Sequence, residues 1–319
     1  MYCDALIGHT GFVGAALSGQ HSFPAKFNSR NVDTIHEQRF DTVVCAAAPG
    51  SMLQANSAPE RDRAAIEMLR EQLRGVEARR FVLISSIAVL ADFAGGDDEN
   101  TQAFQEALAY GRHRQMLEAF CETRFDNCLV VRLPALFGPG LRKNFVFDLM
   151  NPVPTMLPEV RLETMLARLP AELHNALAAR YAPDAATDML RLDRTALDAD
   201  PRRPALDAAV RAAGMSATQF HNPDTTYQYY DMARLWADIG TALGAGLRHL
   251  HLAVAPLRAG DIHARLLGAP MPDTGAKLHH EDMRTRHAGL WGRTGPYLED
   301  ADSVLDKLDA FFAGQRPAA

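Results

Sequence analysis

Short apolar runs recur through the first 133 residues and alternate with stretches whose apolar positions return every three or four residues. The runs at 4–7, 25–28, 42–47, 80–85 and 127–133 predict strands, and the segments 58–76 and 102–124 predict helices between the later ones. Leu6-Ile7, Val43-Val44-Cys45, Phe81-Val82-Leu83-Ile84 and Leu129-Val130-Val131 are continuously apolar rather than alternating. Strands covered by helices on both faces read in this way. The alternation predicts an α/β fold built on a doubly wound parallel sheet.

After Phe137-Gly138-Pro139-Gly140 the texture changes: Asn151-Pro152-Val153-Pro154 breaks the chain, and 160–207 shows helical spacing with few strand formers. A smaller, mainly helical substrate domain is expected there. Tyr227-Gln228-Tyr229-Tyr230 reads as a short strand, Asp231 as the N-cap of a helix over 232–242, and 248–254 as a late return to the main sheet. The expected division is a dinucleotide-binding domain over 1–150 completed by about 225–255, a substrate region over 151–224 and 256–312, and a flexible tail over 313–319. An amphipathic helix over 303–312 precedes that tail.

Composition narrows the partners. The 319 residues are 47% apolar, enough for a sizeable core, and 33 basic against 39 acidic residues leave a net charge of −6 with no long block of one sign. Nucleic acid is therefore not expected as a partner. No apolar run is long enough to span a bilayer and the N-terminus lacks the pattern of a signal peptide, so the expectation is a cytoplasmic protein without membrane attachment. Cys3, Cys45, Cys121 and Cys128 show no metal-like pairing and are expected as reduced thiols.

Chemistry begins directly after the first strand, at Gly8-His9-Thr10-Gly11-Phe12-Val13-Gly14. Three glycines three apart permit a sharp strand-to-helix turn, close approach of backbone to a pyrophosphate, and close packing of helix on sheet, while the helix N-terminus offers N–H groups to phosphates. The same spacing suits such a turn without a ligand. Further along, Tyr110-Gly111-Arg112-His113-Arg114 opens a helical segment and sets Tyr110 and Arg114 four apart on one face. A fixed positive charge stabilises a phenolate and suits the tyrosine to acid/base work, with a surface tyrosine beside a solvated arginine as the alternative. Ser85-Ser86 ends the strand over 80–85, where side chains of a parallel sheet face the ligand crevice.

In that order these segments resemble the extended short-chain dehydrogenase/reductases, the nucleotide-sugar epimerase, dehydratase and reductase group, whose sheet is Rossmann-like. Val43-Val44-Cys45-Ala46-Ala47-Ala48 resembles the cofactor-flanking strand, and Arg132-Leu133-Pro134-Ala135-Leu136-Phe137-Gly138-Pro139-Gly140 the strand and loop that close over the nicotinamide. The likeness covers residues 1–150 and is thin beyond. It implies Tyr110 as acid/base, Ser86 rather than Ser85 as hydrogen-bond partner of the reacting oxygen, and Gly8, Gly11 and Gly14 at the pyrophosphate. It also implies Ala46 and Ala47 on the adenosine side, Pro134 near the nicotinamide, Asn144 at the diphosphate of a nucleotide-linked substrate, and a homodimer paired through helices flanking the sheet.

One position departs: the group's tyrosine motif ends in lysine, and here stands Arg114. Arginine keeps the charge and cannot relay a proton. His113, adjacent on the helix, is expected to point away from the Tyr110–Arg114 face. At the end of the second strand Asn28-Ser29-Arg30 replaces the acid that would accept bonds from an unmodified ribose; Arg30 suits a 2′-phosphate, so NADP is expected before NAD. His279-His280-Glu281-Asp282 with Arg284 and His287 lacks metal-site spacing, and no metal is expected. The leading expectation is an NAD(P)-dependent reductase of a nucleotide-sugar-like substrate. The alternatives are an epimerase with retained NAD and a non-catalytic NADP-binding regulatory or scaffold protein.

Overall fold

The computed structural model describes residues 2–315, which separate into two compact units. The first comprises the chain up to 141, residues 226–257, and the chain from 280 onward; the second comprises 142–225 and 258–279.

The first unit is built from β1 (Cys3–Ile7), α1 (Phe12–Gln20), β2 (Ala25–Phe27), β3 (Arg39–Cys45), α2 (Met52–Ser57), α3 (Pro59–Arg74), β4 (Glu77–Ser86), α4 (Ala109–Arg124) and β5 (Cys128–Leu133). The strand His249–His251 joins the edge beside β5, and the six strands run in the order His249–His251, β5, β4, β3, β1, β2. Every pairing is parallel. This is the doubly wound, Rossmann-like sheet expected from the continuous apolar runs. Ile7, Val43, Phe81, Leu83 and Val130 pack with Ile66, Leu69, Leu73, Leu117 and Phe125 of the covering helices in one core. Burial of that apolar surface drives the unit together. Cys45, Cys121 and Cys128 are buried free thiols, and loss of hydration pushes Cys45 up to about 11 and Cys128 up to about 12.

Three local expectations change. Helix was expected from 102, yet α4 begins at Ala109 because the preceding stretch lies extended along residues 88–91, with Gln105 N donating to Val89 O at 2.8 Å. Asp231 accepts from Ala233 N at 2.9 Å as expected of a cap, but it caps a 3-10 turn, and the α-helix proper is Leu235–Gly244. Ala313, Gly314 and Gln315, expected in the tail, end the helix Ala301–Gln315; residues 316–319 lie outside the described chain.

The segment from 280 groups with the first unit rather than with the substrate region expected for 256–312. Gln228, fully buried, explains the attachment: its Nε2 donates to Val254 O at 2.6 Å and Met283 O at 2.7 Å, and its Oε1 accepts from Met283 N at 2.7 Å. The strand Tyr229–Asp231 pairs in parallel with β6 (Ala135–Phe137).

The second unit is mainly helical, with α5 (Phe145–Met150) followed by helices Glu159–Leu166, Ala171–Ala178, Arg194–Asp198, Arg203–Ala212 and Ala259–Leu267. It also contains a three-stranded antiparallel sheet that helical spacing did not predict, ordered Met156–Leu157, Leu190–Leu192, Tyr181–Pro183. Asp184 closes the hairpin by accepting from Thr187 Oγ1 at 3.0 Å and Arg191 Nε at 2.7 Å. Leu157, Leu162, Leu177, Leu192, Leu206 and Val210 form its own core. Among the described residues no helix is long and apolar enough to cross a membrane.

Two glycines of α1 test the sheet contact. A Cβ at Gly14 would lie 2.1 Å from Gly8 O, whereas one at Gly19 would meet nothing within 4 Å. Gly19→Ala is expected to stabilise by up to about 1 kcal/mol through helix propensity, and Gly14→Ala to destabilise by more than that, as measured by urea unfolding. Equal effects would show that α1 does not rest on the turn.

Candidate active site

The glycine turn divides its labour. Gly8 has φ +89°, and a Cβ there would stand 2.6 Å from Ala46 O and 2.9 Å from Ala47 Cα, so β1 and the chain after β3 meet backbone to backbone. Gly8 N donates to Phe27 O at 2.8 Å, Ala46 N donates to Ile7 O at 2.9 Å, and His9 Nδ1 bonds the same Phe27 O at 3.0 Å. Gly14 is needed for the packing of α1. Gly11 is different: a Cβ would find only Gly8 O, at an ordinary 3.5 Å. Nothing in the protein requires glycine at position 11, and no side chain caps the helix that begins there. That open space leaves room for a ligand at an uncapped helix N-terminus, where Thr10 and Gly11 are exposed and Phe12 and Val13 half-buried. A dinucleotide pyrophosphate fits that description.

The end of β4 separates its two serines by strand alternation. Ser85 is buried and its hydroxyl donates to Glu118. Ser86 turns the other way, accepts from Ala88 N at 3.2 Å to open the turn Ile87–Val89, and lies near enough to the Tyr110 phenol for its hydroxyl to pull that phenol downward. Gly111 allows the approach, since a Cβ there would stand 1.9 Å from Ala88 O. Asn56 of α2 fixes the start of α4 by accepting from Tyr110 N at 2.9 Å.

Arg114 is buried and committed to the protein. Its Nη1 donates to Asp62 Oδ2 at 2.5 Å and Tyr110 O at 3.2 Å, and its Nη2 to Asp62 Oδ1 at 2.8 Å and Pro49 O at 2.5 Å. The guanidinium carbon stands 3.9 Å from the centre of the Tyr110 ring, and the remaining Nε–H is buried without a partner. Tyr110 and Arg114 are thus together as expected, but the electrostatic outcome is reversed. Burial pushes the Tyr110 phenol above its ordinary value and Asp62 adds to the rise, outweighing the downward pull of Arg114 and of the Ser86 hydroxyl. The phenol holds its proton at neutral pH. His113, expected to face away, reaches the same carboxylate, with Nδ1 at 2.8 Å from Asp62 Oδ2.

Behind Ser85 lies a buried polar chain that sequence reading did not find. Arg132 donates to Glu118 through Nε at 3.1 Å and Nη2 at 2.7 Å, and its Nη1 bonds His251 Nε2 at 3.0 Å. His251 Nδ1 donates to Arg284 O at 2.8 Å, and Glu99 accepts from His251 N at 2.8 Å and Thr285 Oγ1 at 2.6 Å. The spacing of Glu118, eight after Tyr110, and the arginine inside an apolar strand were the available signals.

The remaining predicted positions fall as follows. Asn28 accepts from Arg30 N at 2.9 Å, shaping the loop after β2 on which the Ser29 and Arg30 side chains are exposed. Ala46 and Ala47 are half-buried beside Gly8, and Pro134 is buried between β5 and β6. Asn144, at φ +95°, caps α5 by accepting from Phe147 N at 3.2 Å. His280 bonds Thr226 Oγ1 at 3.1 Å, Glu281 accepts from Gln228 N at 3.0 Å, and Arg284 pairs with Asp282 at 2.7 Å. Among the described residues no three His, Cys, Asp or Glu side chains are placed to share a metal ion.

Comparison with known proteins bears on the family and the fold. The model of the NAD dependent epimerase/dehydratase family matches residues 27–161, a stretch that holds Ser86, Tyr110 and Arg114 and begins after the glycine turn. No curated protein matches in sequence. Among solved structures, dTDP-4-dehydrorhamnose reductase from Bacillus anthracis str. Ames in complex with NADP is similar at 13% identity and TM-score 0.61, over 99% of this chain and 99% of that one. A UDP-N-acetylglucosamine 4-epimerase from Bacillus cereus is similar at 12% identity and TM-score 0.58, over 99% and 100%. A UDP-galactose 4-epimerase is similar at 16% identity and TM-score 0.56, over 98% and 99%. The resemblance to the extended short-chain dehydrogenase/reductases therefore stands, as a family-model match over residues 27–161 and as a fold shared along the chain.

The polar chain gives the protein a pH response. Burial and the facing Arg132 hold His251 down to about 4 against an opposing pull from Glu99, below its ordinary 6.5. Above pH 6.5 the imidazole is neutral in folded and unfolded chains alike; as pH falls toward 4 the unfolded chain takes a proton that the fold refuses, so stability declines. Urea unfolding is expected to show a steeper loss between pH 6.5 and 4 for the native protein than for His251→Gln. Identical slopes would remove His251 from the account.

Proposed function

We propose that the chain is an NADP-dependent oxidoreductase that reduces a carbonyl of a nucleotide-sugar-like substrate, with Tyr110 as the proton donor. The observation that carries this reading is the Ser86–Tyr110 pair: a phenol beside a serine hydroxyl at the carboxyl end of β4, kept protonated by burial. A group that holds its proton at neutral pH is suited to giving it to an oxygen that gains negative charge.

Gly8, Gly11 and Gly14 would hold the pyrophosphate, with His9, Thr10, Phe12 and Val13 along the same turn, Ala46 and Ala47 on the adenosine side and Pro134 near the nicotinamide. The cofactor supplies hydride when bound. Ser86 would hold the substrate oxygen by hydrogen bonding, and Tyr110 would deliver the proton to it. Asp62 keeps Arg114 against the Tyr110 ring, so the guanidinium moderates the phenol rather than relaying its proton. Arg30, exposed beyond β2 with no acid immediately beside it, would pair with a 2′-phosphate and select NADP over NAD. The names of the similar structures, reductases of dTDP-linked and epimerases of UDP-linked sugars, support a nucleotide-linked substrate.

A second reading, a nucleotide-binding protein without turnover, draws on one observation: four donor contacts of Arg114 are spent on Asp62, Pro49 and Tyr110. Turnover separates the two. NADPH oxidation over a panel of nucleotide-linked ketosugars is expected to occur with the native protein and to fall roughly a hundred- to ten-thousand-fold in Tyr110→Phe, while NADPH affinity is kept. Unchanged turnover in that variant would falsify the assignment, and binding without turnover in the native protein would favour the second reading. Arg30→Ala is expected to weaken NADPH by about tenfold or more and leave NADH affinity alone, as read by fluorescence titration; equal losses would show that Arg30 does not read the phosphate.

A further inference from the structure

The second unit contains a cavity of about 570 Å³ that the reaction proposed above does not use. That size accommodates a small organic ligand. Arg161, on the helix Glu159–Leu166, Arg168, just past its end, and Arg211, in the last turn of the helix Arg203–Ala212, all line it. Arg168 Nη1 reaches Met215 Sδ at 3.8 Å, which joins the end of the first helix to the chain following the second.

All three are exposed and, among the described residues, without an ion pair, whereas five other arginines of the unit are paired. Arg180, Arg191, Arg202, Arg203 and Arg258 of the same unit each pair with an aspartate. Among the described residues Arg161, Arg168 and Arg211 form no ion pair. The two carboxylates in the lining are already engaged. Asp148 bonds His221 at 2.9 Å, and burial raises its pKa so that its charge is disfavoured; Asp273 accepts from Gly275 N at 3.1 Å.

A second observation points to a ligand. His263 lines the same cavity and is only 8% exposed. Its Nδ1 donates to Ala269 O at 2.8 Å, a contact that places the proton on Nδ1, and its Nε2 has no partner among the described residues. That leaves Nε2 as an acceptor open to a ligand in the cavity. Leu267 and Met271 supply an apolar wall.

We propose that this cavity binds a small phosphorylated molecule, with phosphate oxygens held by Arg161, Arg168 and Arg211, a hydroxyl donated to His263 Nε2, and the less polar part against Leu267 and Met271. Arginine forks match phosphate in charge and shape, and three of them suit more than one phosphate oxygen. The inference rests on the second unit alone and is independent of the role given to Tyr110.

Isothermal titration of the full chain at low salt, with inorganic pyrophosphate and with UDP as separate probes, tests it. Both are expected to bind, to weaken by roughly tenfold or more in Arg161→Gln/Arg168→Gln/Arg211→Gln, and to lose affinity as salt rises. Circular dichroism checks that the variant is folded, and Arg211→Gln alone is expected to weaken both probes by a smaller factor. UDP bound more tightly than pyrophosphate assigns a nucleoside contact to the apolar wall; equal affinities assign recognition to the phosphates, and both results support the site. Absence of binding by either probe overturns it. So does binding unchanged in the triple variant, or binding lost in Arg30→Ala but kept in the triple variant.

Discussion

The carboxylate of Asp62 is the contact on which the catalytic end of the first unit depends. It accepts from His113 Nδ1 and from both terminal nitrogens of Arg114, so one acid on α3 holds two successive residues of α4. Buried charges are tolerated only when geometry repays their lost hydration, and removing one member of such a pair costs about 3–5 kcal/mol. The arginine in the tyrosine motif is therefore inseparable from Asp62. A guanidinium can accept this forked grip, bond Pro49 O and Tyr110 O as well, and still lie over the phenol ring. An ammonium, with three donors at one point, offers no equivalent fork.

Strand alternation then sorts the polar groups around β4 into two systems. Ser85 enters the chain of Glu118, Arg132 and His251, buried and satisfied from within and continued by the half-buried Glu99. Ser86 faces Tyr110, and the pair accommodates chemistry because neither hydroxyl is consumed by such a chain. Gly111 sets the distance between them by letting α4 rest on Ala88 O. Both buried arginines of the described protein, Arg114 and Arg132, have a carboxylate gripped through two nitrogens, Asp62 in one case and Glu118 in the other. The first grip bears on the phenol and the second seats the sheet behind it.

What could be read from the sequence was local. Continuous apolar runs marked four of the five leading strands because burial on both faces leaves no polar alternation, and the glycine turn, Ser86, Tyr110 and Arg114 were legible because each belongs to a short motif with a geometric requirement. Pairings across long separations were not. Asp62 stands 52 residues from Arg114, Arg132 stands 119 from His251, and Gln228 stands 55 from Met283. No periodicity connects such positions. The extended stretch before α4 was misread as helix because its residues are acceptable helix formers, and tertiary hydrogen bonds to Val89 overrode that preference. The small sheet of the second unit was missed for a related reason: strands of two or three residues are too short to show a period.

The sign of the Tyr110 shift shows why motif and environment have to be weighed together. Motif alone argues that a cation one helical turn away lowers the phenol, and the cation is there at 3.9 Å. The fold places Asp62 against that cation, which offsets part of its pull, and burial of the phenol outweighs what remains. The larger effect wins. A neighbouring charge lowers a titrating group only as far as its counterion and the loss of hydration allow, and here burial is the largest cause. On the proposed reading, that balance favours a tyrosine that gives up its proton to a forming alcohol over one that waits as phenolate to take a proton away.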